Sequence, residues 1–227
     1  MTMDHGTTLG DSHDPTVDDW CAVVETMAQL QRGVLDHRDA VLATGVLDCS
    51  PATVPGRFET LVELFSALPP EHPSHVDADL RAELLAALPR LVDACAQIEA
   101  SPMPVTLQHG DLHPWNVFAT RDAGSSLCVF DFGDAQWAPA VEVLSVPYGT
   151  IAEKDEWPWQ PVLDAYTAEW LDVVDARSMQ AMWEATAATQ PVNRAQTWWD
   201  GLVGATDEEV AEWGHAPLWH LRRILDP

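Results

Sequence analysis

Asp111, Asn116 and Asp131 have the residue types and the order that phosphoryl transfer requires. In that chemistry a carboxylate accepts the proton of an attacking hydroxyl, while an amide oxygen and a second carboxylate hold Mg²⁺ against the nucleotide phosphates. Asp111 is the candidate base, and Asn116 and Asp131 are the candidate metal ligands. A second reading belongs to another class: His109, Asp111 and His113 alternate like the ligands of a metal-dependent hydrolase. It leaves Asn116 and the Asp131-Phe132-Gly133 sequence without a purpose, and zinc content would separate the two.

The stretch from Leu107 to Asp134, LQHGDLHPWNVFATRDAGSSLCVFDFGD, contains all of these residues. HGDLHPWN followed by FDFGD resembles the catalytic and metal-binding loops of the aminoglycoside phosphotransferase family, whose fold is that of the protein kinases. The kinase forms are H-R-D-x-x-x-x-N and D-F-G. Gly110 in place of Arg, and His113-Pro114 after Asp111-Leu112, are similar to the small-molecule branch, and the likeness runs diffusely from about residue 3 to the C-terminus. The resemblance implies Mg²⁺ and ATP as co-substrate, and a small-molecule hydroxyl as acceptor. It also implies that His109 braces the loop through backbone hydrogen bonds, and that His113 touches phosphate or stabilises the loop. Met3, in MDHGTTL, is similar to the hinge that meets the nucleotide, so residues 1–13 are expected to be hinge-like. Residues 14–227 are then one C-lobe domain. Taken alone, residues 1–13 are polar and would fray.

The elements that must position these residues follow from periodicity. The expected fold class is α+β and mainly helical, a C-terminal lobe with one small β-hairpin. That hairpin joins 117–119 to 127–130 across 121–125 and carries Asn116 at one end and Asp131 at the other. Asp14-Pro15 reads as a helix start, and Trp20, Val23, Val24, Met27, Leu30, Val34 and Leu35 form one apolar stripe to about His37. A short helix carries Phe58, Leu61, Val62 and Phe65. Asp77 or Asp79 opens a helix that Pro89 must kink or divide. His72 and His75 bracket Pro73 in a loop. After Asp134, helices are expected over 139–151, 158–174, 178–188 and 191–202, with a last pair between Thr206 and Leu225. Trp170 and Trp183 fit core positions, while Trp157, Trp159, Trp198 and Trp199 could line an acceptor pocket. Phe132 packs beneath the metal loop, Trp115 is loop wall, and Asp134 lies beside the ligands.

Composition narrows the function further. With 227 residues, 47% apolar and 21% charged, the chain suits a large core. Eleven Lys and Arg against 36 Asp and Glu give a net charge of −25, which repels nucleic acid. The four Cys form no C-x-x-C pair and are expected to be reduced thiols. No basic n-region with an apolar core opens the chain and no long apolar run follows, so a cytoplasmic protein without a membrane partner is expected.

One departure from the resemblance matters. No Gly-rich loop followed by a strand Lys and a helix Glu precedes Asp111, and the sole Lys is Lys154. An N-lobe is therefore expected to be missing from this chain and the activity to be impaired. The lobe would come from upstream sequence, from a partner chain or by self-association, with an exposed apolar face where it docks. The alternative is a non-catalytic C-lobe remnant acting as a binding module.

Overall fold

The computed structural model describes residues 6–118, 127–154 and 157–225. In chain order the first helices are α1 (Leu9–Ser12), α2 (Val17–Gly33) and α3 (Arg38–Leu42), followed by β1 (Leu47–Asp48). Next come α4 (Val54–Ser66), α5 (Ala78–Ala86), α6 (Leu88–Glu99), β2 (Val105–Gln108), β3 (Val117–Phe118), β4 (Cys128–Val129) and β5 (Gln136–Pro139). The chain ends through α7 (Ser145–Tyr148), α8 (Gln160–Ala168), α9 (Ala176–Gly201), α10 (Asp207–Trp213) and α11 (Ala216–Arg222). It is mainly helical with two small sheets, an α+β arrangement. No helix among the described residues is long and apolar enough to cross a membrane.

Two compact units divide the chain, one formed by residues 1–48 and 102–180, the other by 49–101 and 181–227. The first holds both sheets. In one, β5 lies between β1, its parallel neighbour, and β2, its antiparallel one, with Leu107 opposite Trp137. The other pairs Val117 with Val129 and Phe118 with Cys128. The stacked rings of Phe118 and Phe130, 4.3 Å apart, reinforce this antiparallel pair. Its turn, 119–126, lies outside the described residues. α2 buries Trp20, Val23, Val24 and Met27, four of the seven positions of the expected stripe, whereas Leu30 and Val34 are half-buried and Leu35 is exposed. Gln31 continues that face, donating to the carbonyls of Leu107 and Ala140 and accepting the Tyr166 hydroxyl at 2.7 Å.

In the second unit α4 packs on α5 and α6. Pro89 does divide the helix, because it occupies the first turn of α6, where its missing N–H has no intrahelical partner to lose. Asp77 caps α5 by accepting the Leu80 N–H.

Several expected boundaries are corrected. Thr16, not Asp14, caps α2, in a capping box with Asp19, since a hydroxyl two residues on offers the better reciprocal pair. α2 ends at Gly33, and a 3₁₀ turn, Leu35–His37, follows. The expected helix over 139–151 is instead the end of β5, a 3₁₀ segment Ala140–Leu144, α7 and a π-helical turn Gly149–Lys154. β1 and β5 were not expected. β5 is buried at all four residues, so it shows no alternation, and β1 is two residues long. α8 stops at Ala168 rather than 174. Pro191 lies inside α9 without ending it.

Candidate active site

β2 delivers the chain into the 109–113 loop, where both ring nitrogens of His109 are engaged. His109 is buried. Its Nδ1 accepts the Asp111 backbone N–H at 3.2 Å, so the ring proton belongs on Nε2, which donates to the Phe130 carbonyl at 2.8 Å. Burial lowers the pKa of His109, against the opposing pull of the Phe130 bond. The ring also lies 4.8 Å from that of Phe132. Phe130 is gripped a second time, its N–H donating to the Asn116 carbonyl at 3.0 Å. One residue of β4's end is thus tied to both His109 and Asn116, which sets the starting point of Asp131.

Two backbone conformations complete the placement. Gly110 has φ 85°, and a Cβ there would stand 2.7 Å from Asp134 Cβ, so only glycine lets the two loops approach so closely. Asp131 has φ 61° and ψ 64°, and is the one non-glycine residue with positive φ among those described. Such a left-handed residue costs about 1–2 kcal/mol, which Asp tolerates better than most. Asp131 itself is exposed.

The polar groups of the loop converge on Asp111. His113 Nε2 lies 3.2 Å from Asp111 Oδ2, with the Asp111 side chain 40% exposed. A carboxylate oxygen only accepts, so Nε2–H is the donor of this pair, while His113 Nδ1 is buried with no partner among the described residues. Asn116, buried, donates from Nδ2 to the Asp111 carbonyl at 3.0 Å and approaches Oδ2 at 3.5 Å. Its Oδ1 takes no hydrogen bond from the described residues, and neither does the Asp131 carboxylate. The amide oxygen and the carboxylate expected as Mg²⁺ ligands therefore meet no competing donor among the described residues.

No group of three or more His, Cys, Asp or Glu among the described residues is arranged to hold a metal ion. The hydrolase alternative thus finds no support, because both His109 nitrogens serve the backbone. An Asn and an Asp are a different donor set: two oxygens suffice for Mg²⁺ when phosphates and water complete its shell.

Met3 lies outside the described residues. Within residues 6–13 Leu9 is buried, Thr8 bridges Phe118, and Gly10 lies so close to Trp115 that a Cβ would meet its ring at 2.6 Å, while Thr7, Asp11, Ser12 and His13 are exposed. Trp115 and Trp157 both line a cavity of about 290 Å³. Trp159 packs edge-on against Tyr148. Trp198 and Trp199 belong to the second unit, stacked on Trp213 and tilted against Phe65 respectively. Sequence reasoning missed the His113–Asp111 bond, the double grip on Phe130 and the contact of Gly110 with Asp134. Of these only the last had a visible signal, glycine standing directly before the candidate base.

Comparison with known proteins bears on this geometry. A model of the phosphotransferase enzyme family matches residues 1–177. No curated protein and no solved structure matches the chain.

Proposed function

The chain belongs to the phosphotransferase enzyme family, and from that premise we propose that it transfers the terminal phosphoryl group of ATP to a hydroxyl of a small molecule. The observation that carries this reading is the convergence of Asp111, His113 and Asn116 with the Phe130 grip that leads into Asp131. Asp111 accepts the proton of the acceptor hydroxyl and orients its oxygen in line with the phosphorus, since positioning supplies much of this catalysis. His113 steadies the Asp111 carboxylate by donating to one of its oxygens. Asn116 Oδ1 and Asp131 hold Mg²⁺, which neutralises phosphate charge when bound. His109 positions the loop and does not touch substrate.

The stretch before Asp111 supplies neither a Lys nor a Gly-rich loop. One lost charge contact in a transition state costs about 3–4 kcal/mol, so the chain by itself should turn over slowly, and charge supplied by a second chain should restore the rate. The test is calorimetry of Mg-ATP binding to this chain and to a version extended upstream in frame, each with and without Asp131→Asn, followed by ADP release with hydroxyl acceptors. Binding that requires Asp131, and release abolished by Asp111→Asn, is the expected result. If neither protein binds nucleotide, the loops are a relic and the chain is a binding module.

A further inference from the structure

We propose that Ser12, His13 and Asp19 form a second reactive centre, in which Ser12 Oγ is a nucleophile toward activated carboxylic esters, namely aryl esters and thioesters. It shares no residue with the Asp111 site and rests on none of the phosphotransferase reading. Ser12 Oγ lies 2.8 Å from His13 Nδ1, and His13 Nε2 lies 2.9 Å from Asp19 Oδ2. A hydroxyl within reach of an imidazole that a carboxylate holds from its far side is the arrangement that activates a serine. Geometry and roles identify it, whatever the order of the three in the chain.

The tautomer follows from the partners. A carboxylate oxygen only accepts, so Nε2–H donates to Asp19, and in the neutral ring Nδ1 carries the lone pair. Ser12 O–H then donates to Nδ1, which opens a path for the proton out of the hydroxyl. The Leu9 carbonyl, also 2.8 Å from Ser12 Oγ, receives the hydroxyl when the ring is protonated and Nδ1–H becomes a donor.

Anchored elements hold the members in place. Asp19 is the third residue of α2, and its Oδ2 accepts the Thr16 N–H at 2.8 Å and the Thr16 hydroxyl at 2.7 Å. Burial pushes the Asp19 carboxyl up, but the bonds from Thr16 and His13 outweigh it, and its pKa is lowered. The carboxylate therefore stays ionised. The capping box accounts for the bonds with Thr16 and requires neither His13 nor Ser12. Ser12 ends α1, which is fixed by the buried Leu9, by the bridge of Thr8 to Phe118 and by Gly10 against the Trp115 ring.

Access selects the substrate. Ser12 is exposed, and the His13 side chain is 46% exposed against 20% for Asp19, so nucleophile and base meet solvent while the carboxylate is shielded. On an open surface the group that departs most readily is one stable as an anion, and thiols and phenols ionise at about pH 8.5 to 10. Room for an aryl group lies beside the relay, because Asp14 and Pro15, next along the chain, line the cavity walled by Trp20, Trp115 and Trp157. Ser12 Oγ bonds to the carbonyl carbon and its proton passes to His13 Nδ1. The bond to the aryl oxygen or thiol sulfur breaks, and the leaving group takes the electron pair and the proton from His13. Water then attacks the acyl-Ser12 carbonyl and gives a proton to His13, which returns it to Ser12 Oγ as the acid departs.

Incubation of the whole chain with para-nitrophenyl acetate, read by nitrophenolate release and by peptide mass spectrometry, tests the proposal. Saturable release with an acetyl group on Ser12 is the expected result. Ser12→Ala should abolish that label and lower the release. His13→Gln should slow Ser12 acetylation about a hundredfold, the scale of general-base assistance. Neither variant touches the Thr16–Asp19 capping box, and circular dichroism should show both folded. Asp19 is a positioning residue: Asp19→Asn should lower kcat with KM unchanged, because an amide can present N–H to Nε2 and favour the wrong tautomer. Release unchanged in Ser12→Ala, acetylation of other side chains with Ser12 unlabelled, equal Ser12 acetylation in folded His13→Gln, or an unaltered kcat in folded Asp19→Asn overturns the proposal.

Discussion

At Gly110 and Asp131 the backbone adopts conformations that most side chains resist, and both flank the candidate chemistry. Gly110→Ala places a Cβ against Asp134 and forces a left-handed alanine, so unfolding free energy should fall by at least about 1–2 kcal/mol. Urea titration would read this, and the loss of loop contact should abolish transfer even where the protein folds. At Asp131 two substitutions separate strain from charge. Asp131→Asn keeps a residue that tolerates positive φ, so its urea midpoint should match the wild type while Mg-dependent nucleotide binding is lost. Asp131→Ala should lose binding too, and in addition about 1 kcal/mol of stability. Equal stability of the two variants would show that the left-handed conformation costs nothing here.

Among the elements, α2 and α8 hold β2 through one buried side chain. Gln31 saturates the carbonyls of Leu107 and Ala140 and receives the Tyr166 hydroxyl, so β2 is registered two residues before His109. Gln31→Leu removes the side-chain donor from one buried and one part-buried carbonyl, the buried one at about 1–3 kcal/mol, and a loss of roughly 2–4 kcal/mol is expected on chemical denaturation. Tyr166→Phe should cost about 1 kcal/mol alone and much less in the Gln31→Leu background, because the pair shares one bond. Full additivity would mean that the two side chains act separately.

Charge and proton uptake belong to the whole molecule. At −25 the folded chain repels itself, so its melting temperature should rise as sodium chloride increases from roughly 0.02 to 0.5 M, through screening. Two histidines act in the other direction as acid is added. His220 lies beside Arg194 and Arg223, and burial together with those charges lowers its pKa to about 3. Burial lowers that of His109 as well. An unfolded His takes up its proton near pH 6.5. Below that value the unfolded state binds more protons than the folded one, and stability must fall until the folded pKa is reached. For His220 the loss runs from about pH 6.5 toward about 3, at no more than about 1.4 kcal/mol per pH unit. Comparing urea midpoints of wild type and His220→Phe across that window should show a shallower decline in the variant. Parallel curves would mean that His220 titrates freely in the fold.

What could be read from the residues alone was what one stretch of chain decides by itself. HGDLHPWN and FDFGD name their family because residues near in sequence make one loop each. The α2 stripe and the Pro89 break are legible for the same reason, since helical period and a missing N–H act locally. The Thr16 capping box is local too, yet Asp14-Pro15 offered a competing start. β5 was hidden because a strand buried on both faces has no alternation, and β1 because its pairing with β5 spans most of the first unit in sequence. Only the folded chain brings Gly10 to Trp115, Gly110 to Asp134, and His109 and Asn116 to the two ends of Phe130. Those contacts depend on close packing between segments remote in sequence, and neither periodicity nor composition encodes such a distance.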